Sequence, residues 1–329
     1  MPEAKTANPS ASLKAKQVLN YISNLPNQES NKVISGQFVG YSSEIPLEFN
    51  RQAAGLNKIT GKWPGLIGGD YAYWGTRPDY SKYNKVFIDY WKKGGLVTIS
   101  WHAQNPWNGQ GSSDRTGSSS GLKEIMTPGT SAYAAWISQL DWVAKGLTQL
   151  RDAGAVVLWR PLHEMNGCWF WWGCQNQEDY IGLWHQMFDY LTYAKELDNL
   201  LWVYSPNSVD GSWIKPATFY YPGDNHVDIV GLDKYGDTLQ INGYEEMAAL
   251  KKPFGLTEFG PGGSCNNAPC PDGNFNYANF IAEIRDSYPE ISFFLAWGDD
   301  SVPWSIVSNQ GTSQLFDDPW VVTREELDY

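Results

Sequence analysis

Short apolar runs, each followed by polar or glycine-rich residues and then a stretch of helical periodicity, recur down the chain. They read VISGQF (33–38), GLIGGD (65–70), LVTISW (96–101), AVVLWR (155–160), LLWVYS (200–205), VDIVGL (227–232), PFGLTEF (253–259) and ISFFLAW (291–297). Their hydrophobicity is continuous rather than alternating, which marks strands buried on both faces of a parallel sheet. Between them, stretches such as 133–154 and 178–197 repeat apolar residues at intervals of three and four, the pattern of helices that cover a sheet. Eight strands alternating with helices, with no Pro/Ser-rich linker to divide the chain, predict one α/β domain over 1–329, a (β/α)8 TIM barrel. Val18, Ile22 and Leu25 share one face of a further helix expected over 11–25, ahead of the first strand. The segment NPWNGQGSSDRTGSSSG (105–121) reads as a long, solvated and mobile loop after the third strand.

In such a barrel the chemistry sits at the C-terminal ends of the strands. Those positions hold Gln37, Asp70, Tyr71, Trp101, His102, His163, Glu164, Ser205, Asn207, Asp233, Tyr235, Glu258 and Trp297, a polar and aromatic set. Composition narrows what they can act on. A net charge of −12 and no basic stripe argue against a nucleic-acid partner, and no segment approaches the roughly 20 apolar residues of a membrane span. The chain carries 17 Trp, 19 Tyr and 13 Phe. Trp and Tyr present flat apolar faces with a polar handle, which suits the CH-rich faces of sugar rings, so a neutral polysaccharide becomes the candidate ligand.

Four cysteines form two local pairs, Cys168 with Cys174 and Cys265 with Cys270, each beside Gly or Pro. Two disulfides closing small loops are expected, the alternative being buried free thiols, and with them an oxidising, extracellular setting for a secreted protein. The opening residues MPEAKTANPSASLKAK lack an apolar core and are no signal peptide, so Met1 reads as the start of a mature chain. Asn8-Pro9-Ser10 is disqualified as a glycan acceptor by its proline.

Glycoside cleavage needs one carboxylic acid to protonate the leaving oxygen. In the retaining version a second carboxylate about 5 Å away serves as nucleophile. Glu164 follows the fourth strand and Glu258 ends the seventh, so both can point into the barrel mouth from opposite sides. Glu164 lies in WRPLHEMNGCWFWWG (159–173). A general acid must hold its proton near working pH, and an apolar surround raises a carboxyl pKa. Trp169, Phe170, Trp171 and Trp172 can supply that surround and stack on sugar rings; alternatively they cap the barrel, and Glu164 pairs with Arg160. Other chemistries fail on spacing. HE at 163–164 lacks the second His of a zinc motif, the four His lie on different elements, GLNKITGKW is no phosphate loop, and no Ser occupies a nucleophile elbow.

The motifs SGQF (35–38), GGDYAYW, SWHAQNPW, WRPLHEMNGCWFWWG, SPNS, DKYG, GLTEFGP and LAWGDD, in this order over nearly the whole chain, resemble glycoside hydrolase family 26, the endo-β-1,4-mannanases, and most of all its fungal members. His163 before the acid, where relatives in the clan carry Asn, is the family's own mark. The resemblance implies a retaining double displacement on mannan, galactomannan and glucomannan. Glu164 would be acid/base, Glu258 nucleophile, and Tyr235 the residue that orients Glu258. His102, His163, Trp169 and Trp297 would line the subsite of cleavage, with Asp233 supporting it. Asp70, Tyr71, Asn105 and Trp172 are carried over as further substrate contacts. The chemistry requires no metal and no organic cofactor, and nothing in the sequence calls for an oligomer, so a monomer acting on β-mannan and manno-oligosaccharides is expected, with no separate carbohydrate-binding module. A β-1,3-xylanase, a mixed-linkage glucanase and a non-catalytic carbohydrate-binding barrel are the competing readings.

Overall fold

The eight apolar runs form the eight strands of a closed parallel barrel in a computed structural model, which describes residues 5–329 apart from 74, 76, 118–119, 263–271 and 300–301. The strands are β1 (Gly36–Tyr41), β2 (Leu66–Asp70), β3 (Leu96–Trp101), β4 (Val157–Pro161), β5 (Leu200–Tyr204), β6 (Ile229–Gly236), β7 (Phe254–Pro261) and β8 (Ile291–Ala296). Each pairs with the next in parallel, and β8 returns to β1 through Gln37 and Ala296. The closure is pinned by a buried side chain. Gln37 Nε2 donates to the carbonyls of Ala296 and Trp297, while its Oε1 accepts from the amide of Ile306. The first apolar run is interrupted at Ser35, and its start, Val33–Ile34, pairs with Val321–Val322 on one side and, through Ile34, with Phe293 of β8 on the other.

The strands are buried along their lengths because helices pack outside and side chains fill the bore. In β3, Leu96, Thr98 and Ser100 alternate with Val97, Ile99 and Trp101, which join the outer core; Leu158 and Arg160 alternate likewise with Val157 and Trp159. The inward set therefore runs from aliphatic at the bottom to polar at the mouth. A helix over Leu13–Asn24 closes the bottom, its Val18, Leu19 and Ile22 packing in one cluster with Leu66, Leu96, Leu158 and Leu201. Each such aliphatic side chain stabilises the plug by about 1.5–3 kcal/mol. Ser12 caps this helix, accepting from the amide of Ala15 at 3.2 Å.

The two helices expected from periodicity occupy Ser131–Asp152 and Gln177–Asp189. The second ends earlier than its apolar pattern does. Tyr190–Ala194 continues as a wider π turn, after which Glu196 adopts a left-handed backbone (φ 54°). The loop after β3 is largely exposed over 108–117, as expected of a solvated loop, and hydrogen bonds tie it to its surroundings. Asn105 Nδ2 donates to the carbonyls of Asp114 and Thr116 at 2.8 Å each, Trp107 Nε1 donates to Glu124, and Ser112 O accepts from the amide of Trp171. Among the described residues, no helix is long and apolar enough to cross a membrane.

Candidate active site

The mouth of the barrel is organised around a buried cation. Arg160, the last inward position of β4, is 1% exposed; its Nη1 donates to Asp233 Oδ2 at 2.6 Å and its Nη2 to Glu258 Oε2 at 2.5 Å. Burial alone would favour the neutral guanidine, but the two carboxylates, Asp233 foremost, hold Arg160 firmly charged. Asp233 is further fixed by the hydroxyls of Ser205 and Thr257, both donating to Oδ1 at 2.8 Å. The Tyr235 hydroxyl donates to Glu258 Oε1 at 2.5 Å. Both oxygens of Glu258 thus accept from fixed donors, one of them a full positive charge, which holds the carboxylate in one orientation.

Strict strand alternation would not have pointed Glu258 inward. Leu256 faces the outer core and Thr257 turns inward to donate to Asp233 on neighbouring β6, so the next residue should face out again. The β6–β7 register instead slips between Leu232/Leu256 and Asp233/Glu258, and the same slip separates Leu256 from Phe259 against β8. This bulge turns Glu258 into the mouth beside Thr257. Gly231 leaves room for it, since a Cβ there would come within 2.4 Å of Thr257.

Glu164 is positioned by strain. Its backbone is left-handed, with φ 55°, as is that of Leu162 at 47°. Such conformations in non-glycine residues persist only where the surroundings over-determine them. Here its amide donates to Ser205 O at 2.7 Å and its carbonyl accepts from Gly167 at 3.0 Å. The carboxyl Oε2 accepts from Trp169 Nε1 at 2.5 Å. Burial, and then the charges of Glu258 and Asp233, push the Glu164 pKa well above the usual carboxylate range, against the Trp169 hydrogen bond and Arg160. The two glutamates therefore sit in contrasting environments within one mouth.

The aromatic loop that follows divides its labour. Trp171 and Trp172 are fully buried and each ties its indole N–H to a carbonyl, of Ala103 and His163 respectively. They cap the barrel. Trp169 and Phe170 remain half-buried at the cleft. The expected disulfide Cys168–Cys174 closes this loop, with a Cα–Cα distance of 5.0 Å; the second expected pair, Cys265 with Cys270, lies outside the described residues.

A histidine pair forms the adjoining wall. Asp70 accepts from His102 Nδ1 at 2.7 Å, from Ser100 Oγ at 2.5 Å and from the amides of Ala72 and His102. Burial works against the charged forms of both partners, yet the pair overcomes it: Asp70 is held below and His102 above its ordinary pKa. His163 goes the other way, lowered by burial and by Arg160 and His102. A charged His102 can then donate from Nε2 to the neutral His163 Nε2 at 3.2 Å. Beyond His102 a cleft of about 510 Å³ opens, lined by Phe38, Tyr41, His102, Ser112, Trp297 and Asp299. Trp297 stacks on Phe38 at 3.6 Å and forms one side of it.

The mouth thus brings together Glu164, Glu258, Tyr235, Asp233, His102, His163, Trp169 and Trp297. It does not bring the remaining carried-over positions to the surface of the cleft. Tyr71, Asn105 and Trp172 are each 0% exposed: Tyr71 donates to Asn84 and stacks on Tyr80, Asn105 braces its own loop, and Trp172 stacks on Phe170. Asp70, also fully buried, acts through His102. The alternative pairing of Arg160 with Glu164 is replaced by the Asp233–Arg160–Glu258 bridge. His163, Asp233 and Glu258 bring possible metal-ligand atoms within 4.8 Å of one another, but Arg160 already supplies the cation between the two carboxylates.

Arg160→Met is expected to destabilise the fold by about 3–5 kcal/mol, because two buried carboxylates lose their shared counter-charge. Urea midpoints at neutral pH measure this, and an unchanged midpoint would show that Asp233 and Glu258 do not depend on the bridge. Arg160→Lys should recover part of the loss, since a point charge cannot serve two acceptors as a fork does.

Comparison with known proteins gives the family and fold. The model of glycosyl hydrolase family 26 matches residues 7–326. The chain is 41% identical to "Mannan endo-1,4-beta-mannosidase A and B" of Caldalkalibacillus mannanilyticus over 99% of its length, spanning 64% of that relative, so the chain covers under two thirds of it. It is 39% identical to a mannan endo-1,4-beta-mannosidase of Bacillus subtilis, covering 97% of this chain and 89% of that one. The fungal mannan endo-1,4-beta-mannosidase of Thermothelomyces thermophilus is 27% identical over 97% of this chain and 62% of its own. Among solved structures, the Bacillus subtilis mannanase BCman superposes with a TM-score of 0.90 at 36% identity, over 99% of this chain and 97% of that one.

Proposed function

The chain belongs to glycosyl hydrolase family 26, and from that membership we propose that it is an endo-β-1,4-mannanase, cutting internal bonds of mannan, galactomannan and glucomannan with retention. The observation that carries the reading is the contrast between its two mouth carboxylates: Glu164 is buried beside Trp169, where burial and the charges of Glu258 and Asp233 push its pKa up, while Arg160 and Tyr235 hold Glu258 and aim it. In this mechanism Glu258 attacks the anomeric carbon as Glu164 protonates the departing oxygen; a glycosyl ester on Glu258 forms and the downstream chain leaves. Glu164 then takes a proton from water, which attacks the same carbon and releases Glu258. Tyr235 orients the nucleophile, Asp233 and Arg160 fix it from behind, and His102, His163, Trp169 and Trp297 line the cleaved sugar. The bacterial relatives, at 41% and 39% identity against 27% for the fungal one, favour a Bacillus-type enzyme over a fungal one. The Cys168–Cys174 disulfide supports an extracellular site of action.

Release of reducing ends from soluble galactomannan, with mixed-linkage β-glucan and xylan alongside, tests this reading. Activity on galactomannan with little on the others is expected. Activity confined to glucan or xylan overturns the sugar assignment, and silence on all three overturns the catalytic reading.

A further inference from the structure

Trp213 is 60% exposed, and it is the sole exposed tryptophan among the described residues. A flat exposed indole can serve as a contact face where its base is held fixed, and the surroundings of Trp213 are not those of a loose loop. It lies between β5 and β6, on a segment sewn to the segment that carries Glu164. Asn166, two residues after Glu164 and fully buried, does the sewing. Its Nδ2 donates to the carbonyls of Asn207 (2.8 Å) and Lys215 (3.1 Å), its Oδ1 accepts from the amide of Asn207 (2.8 Å), and its carbonyl accepts from the amide of Lys215 (3.0 Å). Ile214, next to Trp213, is buried, and a tight turn links the amide of Ile214 to Gly211 O at 3.0 Å. The ring lies on Gly211, where a Cβ would come within 2.7 Å of the indole nitrogen. The loop thus presents an indole to solvent from an anchored base.

The ring also continues the active site. Its centroid is 5.7 Å from that of Trp169, with the planes at 74°, and Trp169 donates to the carboxyl of Glu164. Glu164 protonates the oxygen joining the cleaved sugar to the departing chain, so a ring one step beyond Trp169 on the Glu164 side flanks the departing chain. Trp297 and its cleft lie on the other side of the mouth, by His102. We propose that Trp213, set as a wall against Trp169, is a stacking platform for a neutral sugar unit of the leaving-group side of a β-linked polysaccharide. The assignment rests on the reading of Glu164 as acid. It makes Trp213 a chain-length determinant, because a leaving group made of sugar units offers the indole a CH-rich ring face that a small aryl group lacks.

The test compares kcat/KM on mannohexaose with that on a nitrophenyl β-mannobioside, for the unaltered protein and for Trp213→Ala and Trp213→Phe. The ratio of the two is expected to fall about 10-fold in Trp213→Ala, chiefly through KM on the hexaose, and to return most of the way in Trp213→Phe, which keeps a flat apolar face. An unchanged ratio in Trp213→Ala overturns the platform, as does a ratio that Trp213→Phe fails to restore. Failure of the underlying reading has a different signature: Glu164→Ala would then lose activity equally on the hexaose and on an activated dinitrophenyl β-mannobioside, whatever the Trp213 variants do.

Discussion

Replacing Glu258 by Gln is expected to lower kcat on galactomannan by about 10⁴-fold or more while leaving a folded protein. The amide is nearly isosteric with the carboxylate but cannot form the glycosyl ester, so the first displacement loses its nucleophile. It also disturbs the hydrogen bonding. Arg160 and Tyr235 both donate to Glu258, whereas the substituted amide would offer one acceptor and turn an NH2 group toward the other donor. A modest loss of stability, about 1–3 kcal/mol, should accompany the loss of activity and is separable from it by a urea midpoint. Glu258→Ala sharpens the test. With azide and an aryl β-mannobioside carrying a good leaving group, azide should occupy the vacated space, attack from the face opposite the leaving group and yield the α-configured glycosyl azide. Turnover near that of the unaltered protein in Glu258→Gln, or a β-configured azide from Glu258→Ala, would remove Glu258 from the nucleophile's role.

The barrel was legible in the sequence because burial on both strand faces leaves a simple trace, an unbroken apolar run. All eight runs became strands, with edges shifted by up to four residues where polar neighbours prolong or shorten pairing, as in β6, which extends to Gly236. The mouth was legible at positions whose side chains end the inward alternation, His102 and Asp233, while Glu164, past the end of β4 on a left-handed backbone, was marked by its motif alone. It was illegible where local geometry departs from alternation. The inward turn of Glu258 depends on a bulge that no pattern of apolar residues announces, and only its neighbours in LTEFGP marked it. Arg160 had a signal that pointed to the wrong partner: a charged residue at an inward position of a buried strand must find partners, but sequence neighbourhood suggested Glu164, and the bore supplied Asp233 and Glu258 from across the ring.

Aromatic residues mark the other limit. Trp169, Phe170, Trp171 and Trp172 are consecutive, yet two line the cleft and two plug the barrel, because a turning loop closed by Cys168–Cys174 sends successive side chains in unrelated directions. Tyr71 and Asn105 misled for the same reason: both follow strands that end at the mouth, but each turns away, one into the helix layer and one into its own loop. Trp213 lay in a segment with no periodicity, and only its exposure and its distance from Trp169 set it apart.

Glu164→Ala should separate the two halves of the reaction. On galactomannan, whose departing alkoxide needs a proton, kcat/KM should fall by about 10³-fold. On a dinitrophenyl β-mannobioside the leaving group needs no acid, so the ester on Glu258 should form readily and then persist, since no base activates water. A burst of dinitrophenolate, a low KM and rescue by azide to the β-configured glycosyl azide are the expected signs; equal losses on both substrates would deny Glu164 the acid's role. The pH profile carries the same information. The first step requires Glu164 protonated, and its raised pKa therefore extends activity upward in pH, placing the alkaline limb above the ordinary carboxylate range; in the alanine variant that limb should vanish. On the proposed mechanism, the cause of the shift also lets one group serve as acid and then as base. After burial, the charge of Glu258 is the largest contribution holding the proton on Glu164. Esterification consumes that charge, so the pKa of Glu164 falls at the moment its proton has left and a base is needed, and hydrolysis of the ester restores both.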